Sequence, residues 1–334
     1  MHIAVSPYSE SKSAAYRVVL ERARRFAQDR RATILIEGES GTGKTMLARY
    51  IHQHSPRATG PYHAVVLSAL DDALAGSELF GHVAGAFTDA RQSRAGTFVS
   101  ANGGTLFLDE IGKASLSVQQ KLLNAVEYGE IRPLGSDRDM RVDARVIVAS
   151  NIPLAELVAK ERFLADLYAR LSTFRIVLPP LRDRRADIPA LVESYLARHA
   201  QLSDIGLTPK IAPELMKALQ TADWPANLRQ LDATVHRLLV DAAGASVISL
   251  DYCTDDLAYL RGAAVCAAPL TSTAVHDAIS RAGSVSGAAR LLGVHRTTLH
   301  RLQRRWSVAL RPETPPKSVA LHRRDDGADP QRAS

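Results

Sequence analysis

The stretch ILIEGESGTGKT, residues 34–45, decides the fold. It joins an apolar strand to the pattern G-x-x-x-x-G-K-[ST], which predicts a phosphate-binding loop that opens a helix. In such a loop backbone N–H groups turn toward the anion, Lys44 reaches the terminal phosphates and Thr45 offers a hydroxyl to Mg²⁺. The positive end of the helix dipole adds to the attraction. We expect the whole loop to bind nucleotide, through Gly38, Glu39, Ser40, Gly41, Thr42, Gly43, Lys44 and Thr45.

A second element, LFLDE at residues 106–110, is an apolar strand that ends in two carboxylates. Asp109 is placed to hold Mg²⁺ and Glu110 to polarise the attacking water. Two acidic residues after a strand are common on protein surfaces, so this interpretation depends on the phosphate-binding loop. Together the two elements indicate ATP hydrolysis with Mg²⁺ as the cofactor.

Alternation of strands and helices predicts a doubly wound α/β domain over residues 1–181. The first helix is expected at residues 12–28, with Val18, Val19, Ala23 and Phe26 on its inner face. Helical patterns then dominate residues 182–259, with a possible strand at 247–250, so a smaller helical domain should follow. The apolar segments expected to form buried parallel strands are residues 33–36, 63–67, 106–108 and 146–149.

Composition narrows the class of protein. A chain of 334 residues should form two or three domains. No apolar run approaches the roughly 20 residues that span a bilayer, and no signal-peptide pattern opens the chain, so we expect a cytoplasmic protein with no membrane contact. Cys253 and Cys266 lack the spacing of a metal site or a disulfide framework. The net charge of +7 is compatible with a polyanionic partner.

The C-terminal region predicts a DNA-binding domain. Residues 260–272 are expected to be a linker, 273–308 a helix-turn-helix and 309–334 a disordered tail. Its helices are expected at 274–282, which Gly283 ends, at 286–292 and at 295–306. The alternative is a basic helix that merely covers a surface. Residues expected near base edges or phosphates are His295, Arg296, Thr297, Thr298 and Arg301, and those expected at phosphates are Arg304 and Arg305.

The segments ELFGH (78–82) and GAFT (85–88) are restricted to far fewer protein families than the phosphate-binding loop. With them the chain resembles the AAA+ activators of sigma-54 RNA polymerase over residues 12–306. The resemblance implies an AAA+ core of parallel sheet and helices, a helical lid and a Fis-type helix-turn-helix. It also implies that Gly85, Ala86, Phe87 and Thr88 contact the sigma factor. An exposed aromatic in a loop of small residues suits such an interface, although a phenylalanine in a loop is more often buried.

Four further motifs share this resemblance: SN (150–151), FLADLYARL (163–171), LPPLRDR (178–184) and WPANLR (224–229). They imply that Asn151 senses the terminal phosphate, that Arg170 reaches the nucleotide of a neighbouring subunit, and that Arg229 contacts nucleotide from the lid. The implied partners are double-stranded DNA, sigma-54 RNA polymerase and further copies in a hexameric ring.

The sequence departs from the family at four positions. Thr45 stands where the family has a glutamate after the loop lysine. The GAFT segment reads GAFTGA in the family, and Asp89 stands in place of its second glycine. Val66 stands where an asparagine normally restrains the catalytic glutamate, and Leu164 stands where the first of two inter-subunit arginines is expected. Arg162 is a candidate to compensate for the missing arginine. Val66 and Leu164 predict a working but altered ATPase cycle, whereas Thr45 restores the hydroxyl of the general phosphate-binding pattern and should be benign.

Two interpretations stay open. One is an ATP-driven activator. The other is a DNA-binding regulator with a weakened ATPase that works in mixed rings with a competent partner. The GAFT segment does not fit a transporter or a helicase with the same phosphate-binding loop. Since the ATPase pattern begins near residue 12, we expect no N-terminal regulatory domain. Activity would then be controlled by a partner protein, by expression level or by mixed assembly.

Overall fold

The computed structural model describes residues 11–87, 90–203, 208–254, 257, 259–260, 272–292 and 299–300. In chain order, the strands of these ranges are β1 (Ile34–Glu37), β2 (Tyr62–Val66), β3 (Gly81–His82), β4 (Arg94–Ala95), β5 (Thr105–Asp109), β6 (Glu130–Ile131), β7 (Met140–Arg141), β8 (Arg145–Ser150), β9 (Phe174–Val177), β10 (Lys210–Ile211) and β11 (Val247–Ile248). The helices are α1 (Ala14–Ala27), α2 (Lys44–Gln53), α3 (Asp72–Phe80), α4 (Thr97–Ser100), α5 (Leu116–Tyr128), α6 (Leu154–Ala159), α7 (Ala165–Leu171), α8 (Ile188–Leu202), α9 (Pro213–Thr221), α10 (Asn227–Asp241), α11 (Ser272–Ala282) and α12 (Val285–Leu291).

The main sheet has five parallel strands in the order β2-β5-β8-β1-β9. Every residue of β1 and β8 is buried, because helices cover both faces of the sheet. The four predicted strands are confirmed, with ends shifted by one or two residues. The fifth, β9, was not predicted. It is an edge strand in which only Ile176 is buried, so its local pattern is weak.

Alternate residues of β1 enter different cores. Leu35 packs with α3, α5 and α7 on one face, whereas Ile34 and Ile36 pack with α1 and α2 on the other. This period of two is the expected geometry of a strand buried on both sides. The predicted inner face of α1 was wrong at Val18, which is 53% exposed, because the helix turns Tyr16 toward the sheet instead.

The helical region that follows is built from α8, α9 and α10 around the buried Trp224. The indole Nε1 of Trp224 donates a hydrogen bond to the carbonyl oxygen of Leu219 at 2.8 Å, so the polar edge of this large side chain is satisfied. The strand considered at residues 247–250 is present as β11, which pairs in parallel with β10.

The chain divides into two compact units, Met1–Ala267 and Ala268–Ser334. In the second unit α11 and α12 share a small core that includes Val275, Ile279 and Leu299. Gly283 ends α11 with a φ of +63°, as its position predicts. Most of the predicted linker and tail, and the third predicted helix apart from residues 299–300, lie outside the described residues. Within the described ranges, no helix is both long and apolar enough to cross a bilayer.

Candidate functional site

The phosphate-binding loop lies between β1 and α2, at the carboxyl edge of the sheet. Gly41 and Gly43 have φ values of +76° and +104°, which turn the loop backbone into the first turn of α2. The Lys44 Nζ donates to the carbonyl oxygens of Gly38 at 2.8 Å and Glu39 at 3.0 Å. Burial lowers the pKa of Lys44, while nearby carboxylates raise it. A largely buried ammonium group that the described residues hold through carbonyl oxygens is well suited to receive an anion.

Thr45 and Asp109 meet at this edge. The Thr45 hydroxyl donates to Oδ2 of Asp109 at 3.3 Å, and the backbone N–H of Glu110 donates to Oδ1 at 2.9 Å. A hydroxyl and a carboxylate are ligands that Mg²⁺ accepts together with water and phosphate oxygens. In the described part of the chain no group of three or more His, Cys, Asp or Glu side chains can hold a metal. The Thr45–Asp109 pair fits an ion whose remaining ligands come from substrate and water.

Glu110 follows β5 with a φ of +55°, a conformation that costs a non-glycine residue roughly 1 kcal/mol and often marks functional sites. Val66 is paired in register with Asp109 and is 47% exposed. Among the described residues, none donates a hydrogen bond to the Glu110 carboxylate. Asn151 follows β8, the strand next to β5, and so lies at the same edge. The structure thus brings the predicted catalytic residues of the core to one end of the sheet.

The lid reaches the phosphate-binding loop through the WPANLR segment. Nη1 of Arg229 donates to the Ser40 hydroxyl at 3.0 Å, and the N–H of Leu228 donates to the carbonyl oxygen of Gly41 at 2.9 Å. A Cβ at Gly41 would lie 2.2 Å from the carbonyl oxygen of Ala226. Only glycine at this position therefore permits so close an approach between loop and lid.

Two residues whose role was not predicted from the sequence, Arg182 and Asn227, also connect the lid to the phosphate-binding loop. Arg182 donates from both terminal nitrogens to the two carboxylate oxygens of Glu39, at 2.8 and 2.6 Å. The buried Asn227 donates to the Ser40 carbonyl oxygen at 3.0 Å and accepts from the N–H of Leu181 at 2.7 Å. Arg182 lies in the motif LPPLRDR and Asn227 in WPANLR, so these two motifs were the sequence signal that could have identified them. Neither motif indicates which residue of the phosphate-binding loop its member contacts.

A third residue, Arg184, was missed in the same way. Its Nη2 donates to the carbonyl oxygen of Thr42 at 2.7 Å, and its guanidinium lies 4.4 Å from the centre of the Tyr16 ring. Arg184 is almost fully buried. It therefore connects α1, the start of the lid and the phosphate-binding loop.

Arg170 lies on the surface, in the last turn of α7, and forms an ion pair with Glu127 of α5. Leu164 instead packs partly buried against the core beneath α7. Arg162 is exposed, and its carbonyl oxygen accepts a hydrogen bond from the Gln119 side chain at 3.1 Å. Of the two positions at which the resemblance expects an inter-subunit arginine, 164 thus carries an apolar side chain that packs against the core, and 170 carries an arginine.

The GAFT loop is the segment between β3 and β4, residues 83–93. The N–H of Gly85 donates to the carbonyl oxygen of Ala90 at 2.7 Å, which ties these two residues of the loop together. Phe87 is 45% exposed, and its ring meets the edge of His82 with the centres 4.9 Å apart. The alternative of a buried phenylalanine is therefore wrong. Thr88 and Asp89 lie outside the described residues.

His82 holds the base of this loop. One ring nitrogen bonds the Ser77 hydroxyl at 2.8 Å, and the other donates to the carbonyl oxygen of Gln92 at 3.0 Å. The predicted DNA contacts lie outside the described residues: His295, Arg296, Thr297, Thr298, Arg301, Arg304 and Arg305.

Comparison with known proteins adds two family matches. The model of the Sigma-54 interaction domain matches residues 10–177, and that of the AAA+ ATPase lid domain matches residues 182–262. The anaerobic nitric oxide reductase transcription regulator NorR of Salmonella agona is 46% identical over 220 residues, which are 64% of this chain and 43% of that protein. The Klebsiella pneumoniae NorR is 47% identical over 208 residues, 62% of this chain and 40% of that protein.

Solved structures of NtrX from Brucella abortus have the same fold. The complex with ADP superposes with a TM-score of 0.69 at 30% identity, covering 90% of this chain and 70% of that one. The complex with ATP also gives 0.69, at 29% identity, covering 89% and 69%. The chain spans less than half the length of the curated relatives it matches.

Proposed function

Because the chain belongs to the Sigma-54 interaction domain family of AAA+ proteins, we propose that it is an ATP-hydrolysing activator of sigma-54 RNA polymerase. The observation that carries this proposal is one fold that holds both a nucleotide site and an exposed Phe87 on the GAFT loop. The protein would act in the cytoplasm and remodel the closed promoter complex.

At the nucleotide site, Lys44 and the loop N–H groups bind the phosphates of ATP. Thr45 and Asp109 would hold Mg²⁺, which neutralises phosphate charge when bound. Glu110, which follows Asp109 at the end of β5 and whose carboxylate no described residue engages, accepts a proton from the attacking water. Asn151 contributes at the terminal phosphate.

The lid and the neighbouring subunit complete the site. Arg229, which bonds Ser40 at 3.0 Å, contacts the nucleotide from the lid. Arg170 acts on the nucleotide of the next subunit in a hexameric ring, which fits its place on the surface. The C-terminal helices bind double-stranded DNA upstream of the promoter, through the residues predicted at 295–305.

A mixed ring is the second candidate. In it this chain has a weakened ATPase and works beside a competent activator. Leu164 favours this candidate, because the chain supplies an arginine at only one of the two inter-subunit positions. An arginine finger contributes on the order of 10³–10⁵ in rate, so the loss of one matters unless the other dominates.

The test is transcription from a sigma-54 promoter with purified protein, sigma-54 RNA polymerase and ATP. Glu110→Gln should abolish hydrolysis while ATP still binds, and Phe87→Ala should abolish activation while hydrolysis continues. Glu130→Gln, a surface carboxylate away from the site, is the matched control and should be as active as the unchanged chain. Hydrolysis without activation by the unchanged chain, restored by adding a related activator, would favour the mixed ring. Full activation by Glu110→Gln would refute both candidates.

A further inference from the structure

The surface ion pair between Arg170 and Glu127 is held by two packed helices. Nη2 of Arg170 lies 2.5 Å from Oε1 of Glu127, and the two side chains are 56% and 25% exposed. Leu167 and Leu171, on the faces of α7 that flank Arg170, are buried in the core that α5 also lines. The guanidinium group is therefore fixed above the C-terminal end of α5 and faces outward.

This ion pair leaves part of the arginine available. A guanidinium group carries five N–H donors in one plane. Only Nη2 is engaged with Glu127, and within the described ranges no acceptor meets Nη1 or Nε of Arg170. Glu127 thus holds one edge of the plane and leaves the other edge for an oxyanion. A planar fork held in this way is pre-organised for phosphate.

Leu164 makes this orientation more important. It precedes α7 and packs partly buried against the core, so it offers no second cation. We propose that Glu127 is the positioning residue for Arg170, orienting its guanidinium toward the terminal phosphate bound by the neighbouring subunit. This inference rests on the proposed function, since it requires a ring of ATPase subunits.

The experiment mixes two inactive full-length variants. Lys44→Ala cannot bind phosphate but supplies Arg170, whereas Arg170→Ala binds ATP but supplies no arginine. In mixed rings the two together form complete sites, and ATPase activity should return. Glu127→Gln is then added to one variant at a time. In the Lys44→Ala subunit it should lower the recovered rate about fivefold, the scale of a partly exposed ion pair. In the Arg170→Ala subunit it has no arginine to orient and should have no effect.

Two further measurements keep the outcomes apart. Glu130→Gln in the Lys44→Ala subunit is the matched control, because Glu130 also forms a surface ion pair, with Arg141 at 3.3 Å, and should leave the rate unchanged. In unmixed rings, Glu127→Gln should lower kcat with the KM for ATP unchanged. Equal loss from both placements, or loss from neither, would overturn the role of Glu127 alone. Full activity of Arg170→Ala by itself would overturn the proposed role of Arg170, and the inference with it.

Discussion

At the scale of single residues, the sharpest constraint is on Gly41. A side chain there would place Cβ 2.2 Å from the carbonyl oxygen of Ala226 and 3.3 Å from the Cβ of Arg229, at a φ of +76°. We expect Gly41→Ala to push the lid away from the phosphate-binding loop. ATP affinity, measured by titration calorimetry, should fall at least about tenfold, because the displaced lid no longer reaches the nucleotide.

The control for this change is Gly103→Ala. Gly103 has nearly the same φ, +75°, but a Cβ there would meet nothing within 4 Å. It bears the backbone strain of roughly 1–2 kcal/mol without the collision. Its ATP affinity should equal that of the unchanged chain. Equal affinities for the two variants would show that the close approach at Gly41 is unimportant.

Residues of the site differ in how far they follow from sequence. Lys44, Thr45 and Asp109 belong to short patterns whose chemistry is local, so their meeting at the sheet edge was predictable. The Glu39–Arg182 pair was not predictable, since 143 residues separate the two side chains and neither motif indicates the other as its partner. Only the docking of the lid brings them together.

At the scale of elements, the same reasoning explains the strands. Buried strands such as β1 and β8 are continuous apolar runs and were predicted. The strand β9 carries Arg175, whose Nε bonds the buried carboxylate of Glu37 at 2.6 Å, so pairing with β1 rather than local hydrophobicity creates the strand. The two-residue strands β3 and β4 were missed for a related reason. Each forms by antiparallel pairing with the other at the base of the GAFT loop, not from an apolar run of its own.

That base gives a second prediction. His82 joins Ser77 of α3 to the Gln92 carbonyl and supports the Phe87 ring, so His82→Ala should loosen the GAFT loop without disturbing the nucleotide site. Activation of a sigma-54 promoter should fall about tenfold or more, as for loss of an interface hot spot, with ATPase activity retained.

Two variants calibrate the effect of His82→Ala. Ser77→Ala removes one hydrogen bond and should give a smaller loss. His54→Ala is the control, because His54 also packs on an aromatic ring, that of Tyr50 at 4.1 Å, and bonds a carbonyl oxygen. His54 lies outside the loop, so His54→Ala should activate the promoter as well as the unchanged chain does. Normal activation by His82→Ala would show that the loop holds its form without this histidine.

At the scale of the whole molecule, charge is distributed unevenly between the two compact units. Residues 268–334 contain eleven Lys and Arg against five Asp and Glu, a net +6 of the total +7. The first unit, Met1–Ala267, is therefore nearly neutral although it holds the nucleotide site. Since cationic side chains that displace counterions dominate affinity for DNA, the second unit should supply almost all of it.

A chain that ends at Ala267 should therefore bind ATP with unchanged affinity and lose sequence-specific DNA binding, as gel-shift titrations would measure. The full chain with Arg304→Ala and Arg305→Ala tests the same idea without a truncation. Those residues are predicted to bind phosphates, so affinity should fall for specific and unrelated DNA alike. The slope of log K against log salt should become shallower by about 1 for each arginine replaced. Retention of specific binding by the truncated chain would place the DNA-binding residues in the first unit. The excess charge of residues 268–334 would then need another explanation.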